Sequence, residues 1–138
     1  MSSFLEQLQI GQALPAREHT ANEVSLFLYN AAVWNPHRIH YDARYTTEVE
    51  KHPAIVIDGP LQGDWLSQVA LNWAEEKGQL VEFEYSNRQA SYLGETLTSG
   101  GVISAIDLST GKVSLDLFIK NARGEVITPG SAIVIFTP

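Results

Sequence analysis

The sequence predicts an α+β fold in which an antiparallel β-sheet wraps around one long α-helix. Apolar residues between positions 61 and 73 recur at three- and four-residue spacing, which is typical of a helix. From Leu80 to the end of the chain the apolar period changes to two, which is typical of half-buried strands. A single long helix followed by a run of strands favours a sheet packed on that helix. At 138 residues the chain is expected to form one domain, residues 1–138.

A strand, a helix and a loop are predicted before the long helix. The segment Thr20-Ala21-Asn22-Glu23 has the pattern of a capping box with Thr20 at the N-cap, and it predicts a helix of about 12 residues. Pro36 disfavours the helical conformation at Asn35, so residues 34–41 are expected to form a loop. Asp42 is expected to cap a short helix that follows this loop.

The long helix is expected to begin just after Asp58. The short β-branched run Ala54-Ile55-Val56-Ile57 ends at Asp58-Gly59. Pro60 suits a first helical turn because its missing N–H has no intrahelical partner there. The helix is expected to end near Lys77-Gly78. Alternating apolar residues then predict strands around Phe83, Ile103, Leu117 and Val134, with turns at 107–111 and 121–124.

Composition excludes several classes of function. The net charge is −7 with only 9 Lys and Arg residues, which argues against nucleic-acid binding because phosphates require clustered cations. There is no cysteine, no HExxH metal motif and no GxSxG nucleophile motif, so neither a metal site nor a cofactor is predicted. No apolar run reaches about 18 residues and the first residues do not resemble a signal peptide, so a cytoplasmic protein without a membrane partner is expected.

Two segments carry the chemically active residues. Residues 34–42, Trp-Asn-Pro-His-Arg-Ile-His-Tyr-Asp, gather two imidazoles, an amide, a guanidinium and a carboxylate in nine positions. Sixteen residues after Asp42 comes Asp58-Gly59-Pro60-Leu61, at the predicted start of the long helix. Proton-transfer groups near a helix N-terminus that favours an oxyanion suggest chemistry on a carbonyl compound.

These segments resemble those of the MaoC-like hydratases and dehydratases, which have the hot-dog fold. The loop His37-Arg38-Ile39-His40-Tyr41-Asp42, followed by Val56-Ile57-Asp58-Gly59-Pro60-Leu61, is most similar to the mesaconyl-type and fungal-type acyl-thioester hydratases. The resemblance covers residues 10–136. It implies water addition to, or removal from, the double bond beside the carbonyl of a CoA or acyl-carrier-protein thioester. It also implies edge-to-edge pairing of two hot-dog units, as a homodimer or as a heterodimer with a similar subunit.

The resemblance also implies roles for individual residues. His40 matches the catalytic histidine of relatives, whereas Asn35 occupies a position that is usually Asp, and Asp58-Gly59 replaces the usual His-Gly. His40 would transfer protons, Asn35 would orient water, and the Gly59 N–H would bind the oxyanion. The residues expected to contact the substrate are Arg38, Tyr41, Asp58, Leu61 and Arg88, with the two arginines facing phosphates or an acidic acyl group.

Plainer interpretations remain open for the same residues. His40 could instead form structural hydrogen bonds in a turn, and Asn35 before proline is a common turn residue. Asp58 before Gly59-Pro60 is a common helix cap. The cap is the favoured interpretation of Asp58. Three functions fit the pattern: a hydratase or dehydratase, a non-catalytic or half-site partner subunit, and an acyl-thioester binding or thioesterase-like protein.

Overall fold

The computed structural model describes residues 2–137 and has the α+β hot-dog architecture that the sequence predicts. A curled five-stranded antiparallel sheet packs against a long helix. The elements in chain order are α1 (Ser2–Gln7), β1 (Arg17–Thr20), α2 (Glu23–Ala32), a 3-10 helix (Arg38–His40), α3 (Ala43–Glu48), α4 (Gly59–Ala74), β2 (Gly78–Tyr85), β3 (Thr96–Asp107), β4 (Lys112–Lys120) and β5 (Val126–Phe136).

The strand order in the sheet is β1-β3-β4-β5-β2. Two hairpins join β3 to β4 and β4 to β5, and their turns lie where the sequence places them. Gly111 (φ +77°) and Gly124 (φ +80°) occupy the left-handed region in these turns, a conformation that glycine adopts without steric cost. β2 returns after α4 to pair with β5, so it forms one edge of the sheet.

The core lies between α4 and the sheet. One face of α4 is fully buried, and its apolar members pack against inward-facing residues of β3, β4 and β5. The buried α4 residues of this core are Leu66, Val69, Ala70 and Ala74. The long helix is therefore held over its whole length, which fixes its first turn relative to the sheet and to the loop before it.

The N-terminal region differs from the predicted pattern in two ways. The helix α1 is additional, and its Leu5 joins the core. The capping box is also wrong in register: Asn22, not Thr20, is the N-cap of α2, and its side chain accepts from Ser25 N while the Ser25 hydroxyl accepts from Asn22 N. Thr20 is unavailable because it belongs to β1, where its hydroxyl bonds that of Thr96 at 2.9 Å.

The β-branched run at residues 54–57 is not a strand of the sheet. This segment forms only an isolated bridge between Val56 and Tyr92. Its backbone lies between the 3-10 helix and residues 91–93, and it bonds each of them in turn: Val56 N donates to Ile39 O, and Leu93 N donates to Ile55 O. The α3 helix capped by Asp42 is confirmed, since the Asp42 carboxylate accepts from Tyr45 N at 3.0 Å.

The outer edge of β2 has no neighbouring strand in the described sheet. Val81 and Tyr85 are exposed along this strand, and Glu82 and Glu84 point outward. No helix within residues 2–137 combines the length and apolar character needed to cross a membrane.

Candidate active site

Three parts of the chain meet at the first turn of α4. The loop with the 3-10 helix supplies Asn35 and His40, the segment before α4 supplies Asp58, and α2 supplies Asn30. The segment before α4 is fixed on both sides, because Val56 N donates to the 3-10 helix and Ile57 N donates to Ser91 O at 2.9 Å. The backbone therefore determines where each of these side chains lies.

His40 is buried, with 9% of its surface exposed. Its Nδ1 lies 2.7 Å from the carbonyl oxygen of Val56. A carbonyl oxygen only accepts hydrogen bonds, so Nδ1 carries the hydrogen and donates it. In the neutral ring Nε2 is then the unprotonated nitrogen, which is the form that a general base needs.

Asp58 does not cap α4, so the favoured interpretation of this residue is wrong. Its side chain makes no capping hydrogen bond and is fully buried, with 0% of the residue exposed. One carboxylate oxygen accepts from Asn30 Nδ2 at 3.0 Å and the other from Asn35 Nδ2 at 3.4 Å. The first oxygen also lies 3.5 Å from His40 Nδ1. Pro60 at the second helical position has no N–H, which removes one of the donors that a cap would use.

The two asparagines surround this carboxylate from different elements. Asn35 Oδ1 accepts from His37 N at 3.1 Å, which orients the amide so that its Nδ2 faces Asp58. Asn30 also donates to Leu26 O at 2.8 Å, and its buried Oδ1 has no hydrogen-bond partner among the described residues. Sequence reasoning missed Asn30. The available signal was an amide inside an otherwise apolar helix, a position that asparagine disfavours. We refer to Asn30, Asn35, His40 and Asp58 as the His40 cluster.

A second polar cluster lies between α4 and the sheet. Gln62 Nε2 donates to Ser91 Oγ at 3.2 Å, and Thr128 Oγ1 lies 2.5 Å from Gln62 Oε1 and 3.3 Å from Asn87 Oδ1. Asn87 packs on Gly59 so closely that a methyl group at Gly59 would lie 2.2 Å from Asn87 Nδ2. A larger residue at Gly59 would therefore displace the Asn87 side chain. We refer to Gln62, Asn87, Ser91 and Thr128 as the Gln62 cluster.

Two shallow grooves adjoin the His40 cluster along α2. The first has a volume of about 190 Å³ and an almost wholly apolar wall, formed by Phe27, Asn30, Ala31, Trp34, Asn35, Pro36 and Tyr41. The second, of about 270 Å³, contains His40 together with Glu23, Val24, Phe27, Leu28, Tyr41 and Ile55. Phe27 and Tyr41 border both grooves, and the Tyr41 hydroxyl is fixed by donating to Pro36 O at 2.9 Å. The partly buried Leu61 packs against the core on α4 instead.

The two arginines lie apart from this cluster. Arg38 is exposed and its Nη2 lies 2.8 Å from the Asp42 carboxylate, while its guanidinium stacks 4.1 Å from the centre of the Tyr45 ring. Its pKa is raised, first of all by the hydrogen bond to Asp42. Arg88 is also exposed, and its Nε donates to Ser86 Oγ at 3.1 Å.

Tyr29 on α2 is a titratable side chain on which the charge of Asp58 acts. Burial raises the pKa of its phenol to about 12, with further contributions from the negative charges of Asp64 and Asp58. Tyr29 is therefore neutral over the range in which a histidine titrates.

A family model decides how this site is interpreted. The model of hydroxyacyl-thioester dehydratase type 2 matches residues 6–93, which include α2, the loop, Asp58 and α4. The chain belongs to the hydroxyacyl-thioester dehydratase type 2 family. The resemblance to the MaoC-like hot-dog hydratases is thereby confirmed.

Two curated relatives of this dehydratase-family chain agree with that assignment. The mesaconyl-C(4)-CoA hydratase of Chloroflexus aurantiacus is 42% identical over 45 residues, which is 33% of this chain and 16% of the relative. The mitochondrial hydroxyacyl-thioester dehydratase type 2 of Saccharomyces cerevisiae is 24% identical over 101 residues, which is 73% of this chain and 34% of the relative. The matched segment is thus about a third of the relative's length at most.

A solved structure supports the fold of the dehydratase-family chain. A MaoC-like dehydratase superposes with a TM-score of 0.87 at 17% identity, over 96% of this chain and 42% of that one. At this identity the likeness concerns the fold, which is the hot-dog fold.

Proposed function

We propose that this chain catalyses the reversible addition of water to a 2-enoyl thioester, giving a 3-hydroxyacyl thioester. The observation that carries the proposal is the hydrogen bond from His40 Nδ1 to Val56 O at 2.7 Å, in a family of thioester dehydratases. This bond leaves Nε2 of a buried histidine as a proton acceptor beside an apolar groove.

His40 acts first as a base and then as an acid. Nε2 removes a proton from water while the water oxygen forms a bond to C3 of the enoyl group. The electrons of the C2–C3 double bond move to the C1–C2 bond, and those of the carbonyl move to its oxygen, which forms an enolate. The imidazolium then returns a proton to C2 as the carbonyl reforms, so atoms and charge balance. Asn35 orients the water without taking a proton itself.

The first turn of α4 stabilises the enolate oxygen. The N–H of Gly59 and that of Leu61 are free of intrahelical partners by helix geometry, and the positive end of the helix dipole favours an anion there. Pro60 has no N–H, so these two residues are the donors of the first turn.

The grooves along α2 hold the acyl group, and cations outside them hold the rest of the substrate. The groove that Phe27 and Trp34 line is apolar, as an acyl chain requires. Arg38 and Arg88 are exposed and bind the phosphates of CoA or of an acyl carrier protein after exchanging their present partners. Tyr41 forms the wall between this apolar groove and His40.

The test is turnover of crotonyl-CoA by the purified chain. We expect loss of the enoyl-thioester absorbance and formation of 3-hydroxybutyryl-CoA, with the reverse reaction from the hydroxyacyl thioester. Release of free CoA thiol instead would favour the thioesterase-like function. If the isolated chain catalyses neither reaction at any concentration, the proposal is contradicted for the isolated chain.

The proposed partner is a second hot-dog unit, either an identical copy in a homodimer or a similar subunit in a heterodimer. The open edge of β2 supports this, because an unpaired edge with exposed Val81 and Tyr85 is a surface on which another strand can pair. Sedimentation should give a species of about twice the chain mass of 15.2 kDa. A monomer at all working concentrations would contradict the homodimer.

A half-site partner subunit is the second candidate. One observation favours it: Asn35 cannot accept a proton. In this case the chain alone would be inactive and would gain activity when mixed with a similar hot-dog subunit. Activity of the chain alone would exclude this role.

A further inference from the structure

We propose that Asp58 is a positioning residue that orients the His40 ring and stabilises its imidazolium form. It acts through His40 and does not touch the substrate. The kinetic part of this inference rests on the proposed function, whereas the contact between the two side chains does not.

The geometry places two acceptors at one nitrogen. His40 Nδ1 lies 2.7 Å from Val56 O and 3.5 Å from the Asp58 carboxylate. When Nε2 takes a proton, positive charge spreads over the ring and the Nδ1–H becomes a stronger donor, so both contacts gain in strength. Because Asp58 is fully buried, bulk water does not screen its carboxylate from this charge.

A purely structural role does not explain this placement. Burying a carboxylate carries a large desolvation cost, and a solvent-exposed cap would avoid it. The Asp58 side chain nevertheless makes no capping hydrogen bond to α4 and points inward. There, Asn30 from α2 and Asn35 from the loop each donate one amide hydrogen to its carboxylate. Two separate elements therefore hold the carboxylate against the histidine.

Few other charges face this carboxylate. Among the described residues, His40 from the loop contacts Asp58, and the charge of Asp58 also acts on Tyr29 from α2. The pKa of Tyr29 is raised to about 12, chiefly by burial, so this phenol stays neutral while histidine titrates. Arg38 is directed to Asp42 on the surface, and the next carboxylate of α4, that of Asp64, is exposed. His40 is thus the titratable side chain that contacts Asp58, and the ring of His37 lies 5.9 Å from that of His40.

Asp58→Asn tests the kinetic part, with Asp64→Asn on the same helix as the matched control. We expect kcat for crotonyl-CoA hydration to fall by at least about 10-fold with little change in KM, because the loss falls on proton transfer. The acid limb of the pH–rate profile should move to lower pH, since the imidazolium loses an acceptor. Asp64→Asn should change neither. An unchanged kcat and profile in Asp58→Asn would overturn the proposal.

Nuclear magnetic resonance of the histidine ring tests the contact without any turnover. The His40 titration should shift to lower pH in Asp58→Asn and stay in place in Asp64→Asn, whereas identical titrations in both variants would overturn the proposal. If wild-type protein does not turn over enoyl thioesters, the proposed function fails, yet this measurement still decides the coupling of Asp58 to His40. Should Asp58→Asn fail to fold, Asp58→Ser, which also removes the charge, replaces it in both experiments.

Discussion

Two polar clusters, each with buried members, meet at the first turn of α4, and they differ in charge. The His40 cluster, on the side of α2 and the loop, contains a carboxylate and an imidazole besides its amides. The Gln62 cluster, on the side of the sheet, contains only amides and hydroxyls. Asp58 of the His40 cluster directly precedes Gly59, the first residue of α4. Asn87 of the Gln62 cluster packs on Gly59.

The difference separates groups that fix the structure from groups that can transfer protons. A neutral network with its hydrogen bonds made rigidifies a core, and no member of it changes protonation near neutral pH. A buried carboxylate beside an imidazole contributes little net stability, but it responds to protonation of the ring. Substitutions in the two clusters should therefore have different effects: on turnover in the first and on stability in the second.

The largest expected effect is that of His40→Ala. Loss of the proton-transfer group should lower turnover of crotonyl-CoA by at least about 100-fold while the melting temperature changes little. His52→Ala is the matched control, because His52 lies outside the His40 cluster. Full activity of the His40 variant, measured as loss of the enoyl-thioester absorbance, would remove the catalytic role from this cluster.

Asn35→Asp should make the His40 cluster less stable. From the sequence alone the substitution is expected to be tolerated, since relatives carry Asp there. The structure, however, places an oxygen of the new carboxylate about where Asn35 Nδ2 lies, 3.4 Å from the Asp58 carboxylate. Repulsion should cost about 1–3 kcal/mol in the free energy of unfolding near pH 7. One carboxyl group then binds a proton more tightly in the folded state, so stability should recover as the pH falls. Denaturant unfolding at several pH values measures this, and an equally stable variant at pH 7 would show that the two groups do not interact.

Thr128→Val should affect the Gln62 cluster and leave the chemistry intact. The substitution keeps the shape of the side chain but removes the hydroxyl that bonds Gln62 Oε1, which leaves a buried acceptor unpaired. A loss of about 1–3 kcal/mol in the free energy of unfolding is expected. Turnover per folded molecule should stay within a small factor of wild type. A stable variant with low turnover would instead assign catalysis to this cluster.

The smallest effect concerns Tyr29, which borders the His40 cluster. Because its pKa in the folded protein, about 12, lies above the ordinary value of about 10, the neutral phenol favours folding. This contribution is fully present below pH 10 and is lost as the pH rises toward 12. An absorbance titration should show one tyrosine that ionises late, and Tyr29→Phe should remove that step. A Tyr29→Phe protein with the same titration would assign the late step to another phenol.

Much of the fold follows from local sequence patterns. The period-two strands, both hairpin turns and the α4 helix are predicted because each depends on neighbours along the chain or on glycine at a left-handed position, as at Gly111 and Gly124. Segment 54–57 has the composition of a strand, yet it cannot be assigned locally, since the elements that flank it decide its pairing. Thr20 and Asn22 compete for the same cap, and only the pairing of β1 with β3 decides between them.

The candidate site shows the same limit more sharply. The motif identifies His40, Asn35 and Asp58, but not how they are arranged. Asp58 before Gly59-Pro60 has the pattern of a helix cap, and only the tertiary placement of Asn30 shows that the carboxylate has inward-facing donors instead. A buried contact between residues 28 positions apart leaves no local trace in one sequence.

Trp34 gives the apolar groove along α2 an optical property of its own. Its indole forms part of the groove wall while 88% of the residue is exposed, in a backbone conformation with φ +56° that turns it outward from the end of α2. The other two tryptophans, Trp65 and Trp73, pack against the core. An apolar chain that settles in the groove would remove water from Trp34 alone, so the fluorescence of a single residue would report occupancy of the groove without any added label.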